Sequence, residues 1–328
     1  MSIPVINHCP GTLAEGHHTY SRLCLKRMFN GARVSHIMPT ELLVSGTDGY
    51  SSFVRDHMRV SISGVQQKLS VIQIKNKLRL TNDAEQGTHL IKPIPSLGNN
   101  ADQMPANEHL TMQIARQVYH IETAENSLIF FENGDHAYLT RRFDVDAQLG
   151  KKAVEDFAAL AQRSPQSHGE HYKYLGNYLE LFAVMKNFLP VYALESVKLF
   201  KLIMFNYLFS NGDAHFKNFS VIETGMGDFK LSPAYDLLNS RLHVKDSDFA
   251  LDDGLLPRSL AQGNIARQFH TLGQQSGLSP IQIKSIFETM TSNSTKVEKL
   301  IGASFLNDRL KRSYFQAYQT RLKALTKI

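Results

Sequence analysis

The chain has no tryptophan and only two cysteines, Cys9 and Cys24, among its 328 residues. Two thiols cannot staple a small secreted scaffold, and their scarcity fits a reducing cytoplasm, so stability has to come from a packed apolar core. Zinc is poorly provided for as well: with His8, His17 and His18 nearby, the cysteines do not fall into a usual paired-ligand spacing. Long apolar runs are missing. The longest, Val197 to Phe209, is interrupted by Lys198, Lys201 and Asn206, and it falls short of the roughly 20 apolar residues a bilayer span needs. The N-terminal MSIPVINHCPG has neither the basic start nor the apolar stretch of a secretory signal. No internal repeat or low-complexity tract is evident. Together these absences predict a soluble, cytoplasmic protein that makes no use of a membrane.

Length and a 42% hydrophobic content suffice for a sizeable core divided between two lobes. The net charge of +6 is spread along the chain and is densest near the end, where Arg309, Lys311, Arg312, Arg321, Lys323 and Lys327 face only Asp308. That density reads first as a solvated helix face and second as a docking surface for an acidic partner.

The first half has the pattern of strands. Arg59 to Lys75 and Leu78 to Leu80 flank a turn at Asn76-Lys77, His89 to Ile94 forms another short strand, and SLIFFE and HAYLTRRF make a hairpin about Asn133-Gly134-Asp135. Pro105 to His120 carries Leu110, Ile114, Ala115 and Val118 at helical spacing. From Asp144 onward the pattern is helical: Val154 to Arg163, Tyr174 to Phe188, Leu194 to Ser210, Pro280 to Met290 and Phe305 to Thr326. A β-like insert, Phe219 to Asp236, turns at Gly225-Met226-Gly227. The expectation is an α+β, two-lobed, protein-kinase-like fold, with a β-rich lobe over 1–143 and a helical lobe over 144–328.

Functional groups crowd into NGDAHFKN, residues 211 to 218, directly after the most apolar helix. Asp213, Asn218 five residues later and Asp236 beyond a hairpin follow the order a phosphoryl-transfer site needs: a carboxylate for the hydroxyl proton, then two metal ligands. Each also has an ordinary reading. Asp213 after Asn-Gly suits a turn, Asp236 suits a helix cap, and His215 suits a satisfied structural histidine. Lys92 is a lone cation in an apolar strand, where a phosphate or Glu108 would offset the cost of burial; otherwise it snorkels to the strand edge. Ser61-Ile-Ser63-Gly64-Val-Gln-Gln67-Lys68 could cover phosphates with backbone N–H groups or be a plain hairpin turn.

Taken in order, VSISGVQQK (60 to 68), HLIKP (89 to 93), NEHL (107 to 110), RRFD (141 to 144), EDF (155 to 157), NGDAHFKNFSV (211 to 221) and LSPAYDLL (231 to 238) resemble the HipA family of bacterial serine/threonine kinases, the toxins of toxin-antitoxin operons. The resemblance implies ATP and Mg2+ as cofactors, Asp213 as the catalytic residue and Asn218 and Asp236 as metal ligands. It implies Lys92 on the nucleotide phosphates, with Glu108 also at the ATP site and Ser63, Gly64 and Gln67 in the loop that covers the phosphates. Arg142, Phe143 and Asp144 would form the segment that meets adenine and ribose, and His215 and Tyr235 would contact nucleotide or order the loop. Ser61 holds the family's autophosphorylated position, with Ser63 a second candidate. Only 60 residues precede Ser61, which is similar to the short HipT branch. That branch implies a HipS-like small protein and a HipB-like DNA-binding antitoxin as partners, nucleic acid being reached only through the antitoxin. It also implies an aminoacyl-tRNA synthetase, tryptophanyl favoured, as substrate. A kinase-like module that binds nucleotide or partners without chemistry is the alternative, and a metal hydrolase built on Asp213 and His215 is a third.

Overall fold

The alternating apolar residues of the first half pair into one sheet. In the computed structural model, which describes residues 5–38, 68–96, 98–146 and 150–327, six strands lie in the order Ile37–Met38, Asn126–Phe131, His136–Arg141, His89–Lys92, Leu69–Ile74 and Lys77–Leu80. The first pairing is parallel and the others antiparallel. Two tight turns set the register. Lys75 takes a left-handed φ of 54° between Ile74 and Lys77. In the Asn126–Arg141 hairpin, Gly134 has φ 91° and Asn133 Oδ1 accepts from Asp135 N at 3.0 Å, a turn chemistry suited to these residues.

Contacts divide the chain into two units, the first comprising residues 1–113, 124–143 and 300–308, the second 114–123, 144–299 and 309–328. The first unit packs one face of its sheet on the helix Arg22–Phe29, with Cys9, Tyr20, Cys24, Met28, Phe29, Val71, Leu78, Ile91 and Leu139 in one buried cluster. The helix Met104–Gln117 is buried along most of its length, including Leu110, Met112, Ile114 and Ala115.

The second unit is built on the helix Tyr192–Leu208, of which eleven residues are buried. A helix apolar on nearly every side must be wrapped by other elements, and here Tyr178–Phe188, Ile265–Gln275, Pro280–Thr291 and Asp308–Thr326 supply Leu181, Phe182, Phe269, Leu272, Ile283, Tyr314 and Tyr318 to its surroundings. Phe205 and Phe209 stack at 4.4 Å, and Phe209 stacks on Tyr318 at 5.2 Å. The β insert is a hairpin of Ser220–Glu223 and Phe229–Leu231, joined on its other edge by Val154–Asp156. The predicted helix over Val154 to Arg163 is therefore corrected: its first three residues are a strand, and only Phe157–Leu160 is helical, capped by Asp156 Oδ1, which accepts from Ala159 N. Helices at Ile265–Gln275 and Ser294–Ala303 add to those read from the pattern. Among the described residues, no helix is long and apolar enough to cross a membrane.

One buried carboxylate ties this hairpin to the central helix. Glu195, 3% exposed, accepts from Leu231 N at 2.9 Å through Oε2 and from Lys198 Nζ at 2.7 Å through Oε1. Replacing it with alanine leaves a buried donor unsatisfied, which costs about 1–3 kcal/mol. Equilibrium urea unfolding should record that loss for Glu195→Ala and a smaller one for Glu195→Gln, which keeps an acceptor.

Candidate functional site

The polar stretch after the central helix is held by its own side chains. The helix ends at Leu208, and Ser210 turns the chain with a left-handed φ of 54°. Asn211 then reaches in three directions: its Nδ2 donates to Asn206 Oδ1 at 2.9 Å and to the Asp236 carbonyl at 3.3 Å, and its Oδ1 accepts from Asp213 N at 3.4 Å. Ser240 Oγ accepts from Gly212 N at 2.9 Å and donates to the Ser210 carbonyl at 3.0 Å. Gly212 has no room for a side chain, since a Cβ there would stand 2.5 Å from the carboxyl carbon of Asp246. With most of the backbone polar groups of this turn paired internally, Asp213 projects from a fixed base.

Asp213 is exposed at its carboxylate, which accepts from Tyr174 Oη at 3.0 Å and lies 4.0 Å from His215 Nε2. Its pKa is raised: desolvation by the surrounding protein is the main cause and the Asp236 and Asp246 charges add to it, while the Tyr174 hydrogen bond and Lys173 oppose it. Burial pushes His215 down to about 4, so the ring is neutral near pH 7. It cannot serve as a cation beside Asp213 there. A single 3-10 turn, Phe216–Asn218, follows. It brings Asn218 Nδ2 to 2.9 Å from Asp236 Oδ2, while Asn218 Oδ1 accepts from His215 N at 3.1 Å. Asp236 has φ 61°, a left-handed conformation that costs most L-residues energy and that aspartate adopts more readily than most. It does not cap a helix. The next helical turn, Ser240–Leu242, begins after Asn239. Tyr235 Oη donates to the Lys217 carbonyl at 2.9 Å and is bonded to Ser220 Oγ, so it braces the turn from outside.

In the first unit, Lys92 and Glu108 are a buried pair. Lys92 Nζ donates to Glu108 Oε1 at 2.6 Å, the side chains being 6% and 2% exposed, and the ammonium lies 5.4 Å from the centre of the Tyr138 ring. Lys92 does not snorkel. Ser61, Ser63, Gly64 and Gln67 lie outside the described residues. Arg142 N donates to the Thr88 carbonyl at 3.0 Å, Phe143 closes the stretch 124–143 of the first unit, and Asp144 opens the next stretch of the second, its carbonyl accepting from Lys152 N at 2.8 Å.

The structure thus brings Asp213, His215, Asn218 and Asp236 together in one unit and pairs Lys92 with Glu108 in the other. Sequence reasoning missed Tyr174, Asn211, Ser240 and Asp246. None of these stands at a diagnostic spacing, although Asn211 lies inside the polar stretch NGDAHFKN. It also misplaced Arg321, which is not on a solvated basic face: it is buried, donates to Asp248 Oδ1 at 2.6 Å, sits 3.4 Å from Ser210 Oγ and stacks 4.7 Å from the Tyr207 ring centre.

A profile of the family described as "HipA-like C-terminal domain" matches residues 60–297, more than half of the chain. A candidate kinase of Haemophilus influenzae is 24% identical over 287 residues, covering 81% of this chain and 82% of its own. The candidate kinase Y4mE of Sinorhizobium fredii is 25% identical and is matched over 47% of its length. Among solved structures, Shewanella oneidensis HipA, determined in complex with HipB and operator DNA, superposes with a TM-score of 0.62 at 19% identity, covering 86% of this chain and 72% of that one. The Helicobacter pylori proinflammatory kinase CtkA superposes at 0.51 with 12% identity, over 78% and 92%. At those identities the likeness speaks for the fold, an α+β architecture shared with the HipA and CtkA kinases.

The Lys92–Glu108 pair permits a test that needs no ligand. Glu108→Ala leaves an ammonium in a buried site without its carboxylate, a change that typically costs about 3–5 kcal/mol. Urea unfolding of Glu108→Ala should show a loss of that order, and the double variant Lys92→Met, Glu108→Leu should recover most of it.

Proposed function

The chain belongs to the HipA-like C-terminal domain family, and we propose that it is an ATP-dependent serine/threonine protein kinase, a toxin of a bacterial toxin-antitoxin pair. The observation that carries this reading is the loop after the buried helix: one raised-pKa carboxylate, Asp213, held apart from a second, Asp236, that is hydrogen-bonded to Asn218. The donor set fits the cofactors. Mg2+ takes oxygen ligands: Asp236 would supply a carboxylate, and Asn218 would supply its amide oxygen, which here accepts from His215 N while the amide nitrogen faces Asp236. Lys92, the strand cation fixed by Glu108, is suited to phosphate oxygens. Bound together, ATP supplies the transferable group and Mg2+ neutralises part of its charge.

The protein's own contribution is orientation and proton handling. Asp213 accepts the proton of a serine or threonine hydroxyl as its oxygen attacks. His215, neutral near pH 7, adds no competing positive charge to that carboxylate. Asn211 and Ser240 hold the loop's backbone so that the carboxylate does not have to be ordered at each turnover. Arg142, Phe143 and Asp144 suit the adenine and ribose, and Tyr235 braces the metal-binding turn. In this reading the lobes run 1–143 and 144–328, the loop over Ser61, Ser63, Gly64 and Gln67 covers the phosphates, and self-phosphorylation on Ser61 or Ser63 repels ATP and switches the enzyme off. In this reading the chain is of the HipT branch. By that branch, a HipS-like protein and a HipB-like antitoxin are partners, the site of action is cytoplasmic, and the substrate is an aminoacyl-tRNA synthetase. The Shewanella HipA was solved together with HipB and operator DNA, which supports an antitoxin partner here.

Asp213→Ala should lower phosphoryl transfer by roughly 10²- to 10⁴-fold, the scale for losing a positioned base. Transfer at the wild-type rate would remove Asp213 from the role. The pH dependence has a definite sign: Asp213 works ionised and its pKa is raised. Activity should therefore fall with acidification at a higher pH than for an ordinary aspartate near 3.9. A rate profile between pH 4 and 8 reads this directly. Labelled ATP offered with a panel of purified aminoacyl-tRNA synthetases tests the substrate, and self-labelling without transfer to any of them would discard that substrate class while keeping the kinase.

A further inference from the structure

We propose that Tyr174 is a positioning residue for phosphoryl transfer, its hydroxyl holding one oxygen of the Asp213 carboxylate so that the other faces the incoming substrate hydroxyl. The inference rests on the kinase reading above and extends it to a residue that no motif singled out. Tyr174 Oη donates to Asp213 Oδ1 at 3.0 Å, and among the described residues Oδ2 carries no protein hydrogen bond. A carboxylate that must accept a proton from a mobile hydroxyl gains from having its rotation stopped beforehand. A phenol bound to one oxygen does this without blocking the other.

The surroundings of Tyr174 suit a fixed support. It ends a 3-10 turn, Tyr172–Tyr174. Its carbonyl accepts from Asp252 N at 2.9 Å, and two residues on the Gly176 carbonyl accepts from Asp253 N at 3.0 Å. Gly176 takes φ 87° there. The ring meets His215 edge-on at 5.1 Å and lies 4.8 Å from His171, and the Lys173 ammonium lies 4.9 Å from its centre. So the backbone and the ring are both held, and the hydroxyl is aimed. The charged and titratable groups around the pair are Lys173, His171, His215, Asp236 and Asp246. Burial first, then the Asp213 charge, keep the phenol protonated well above the usual tyrosine range, so it acts as a donor only. A tyrosinate at this place would repel the carboxylate it is meant to hold.

Tyr174→Phe keeps the ring and removes the hydroxyl. Single-turnover self-labelling with γ-labelled ATP and Mg2+ should slow by roughly 10- to 100-fold, the range for a hydrogen bond to a charged group. The ATP concentration at half-maximal rate should stay within about twofold, because the bond touches the acceptor side and not the nucleotide. A purely structural tyrosine would instead leave the rate unchanged or shift both quantities together, and either result overturns the proposal. A second readout needs no activity. With ring-labelled tyrosine at pH 7, the hydroxyl-bearing ring carbon of Tyr174, assigned by its loss in Tyr174→Phe, should change its chemical shift in Asp213→Ala, where the accepting carboxylate is gone. No difference would show that the bond does not form in solution and would overturn the proposal. A wild-type chain that shows this coupling but labels nothing would instead overturn the kinase reading, and the catalytic use of Tyr174 with it.

Discussion

Everything proposed for this chain depends on how the loop after the Tyr192–Leu208 helix satisfies its own backbone. A chain that leaves a buried helix exposes carbonyls and amides that must find partners or cost stability. Here the Asn211 side chain takes the Asp213 amide and the Asp236 carbonyl and also bonds the Asn206 side chain, and Ser240 takes the Gly212 amide and the Ser210 carbonyl. The result is that a turn rich in polar groups is tied to the end of the helix and to the Asp236 segment by side-chain hydrogen bonds. Arg321 adds to this from the last helix, where Asp248 neutralises its buried charge.

Electrostatics then give the carboxylates of the loop different characters. Asp236 is drawn into a hydrogen bond with Asn218, in a left-handed conformation. Asp213 is exposed, desolvated at its base and repelled by Asp236 and Asp246, so its proton affinity is raised. One acidic group suited to hold a cation and another suited to hold a proton is the division of labour that acid–base chemistry near neutral pH asks for. In the other unit, the Lys92–Glu108 pair is buried at a cost that hydrophobic residues of the same size would not incur. In the proposed reading, a use of Lys92 on phosphate offsets that cost.

How much of this could be read in the sequence depends on the range of the interactions. The central helix and its loop were legible because apolar spacing and D-x-x-x-x-N are local features. Glu108 beside Lys92 was legible as one of two ways to offset a buried charge, and the structure realises it. The strand at Val154–Asp156 was not legible: VEDFAALA has helical spacing, and what makes its first residues extended is pairing with Ser220, Val221 and Ile222, far along the chain. Arg321 reads as one more base in a basic stretch until the helix phase turns it inward to Asp248. Tyr174 was invisible for the same reason, since its meaning comes from a carboxylate 39 residues away in sequence.

The most direct measurement is label incorporation from γ-labelled ATP into the purified chain, with Mg2+ or with a chelator, followed by acid hydrolysis to identify the labelled amino acid. If the Asp213, Asn218 and Asp236 loop is a phosphoryl-transfer centre, label appears on serine or threonine only when the metal is present, and it disappears in Asp236→Asn. Absence of label under both conditions, or label that survives both metal removal and Asp236→Asn, would contradict it.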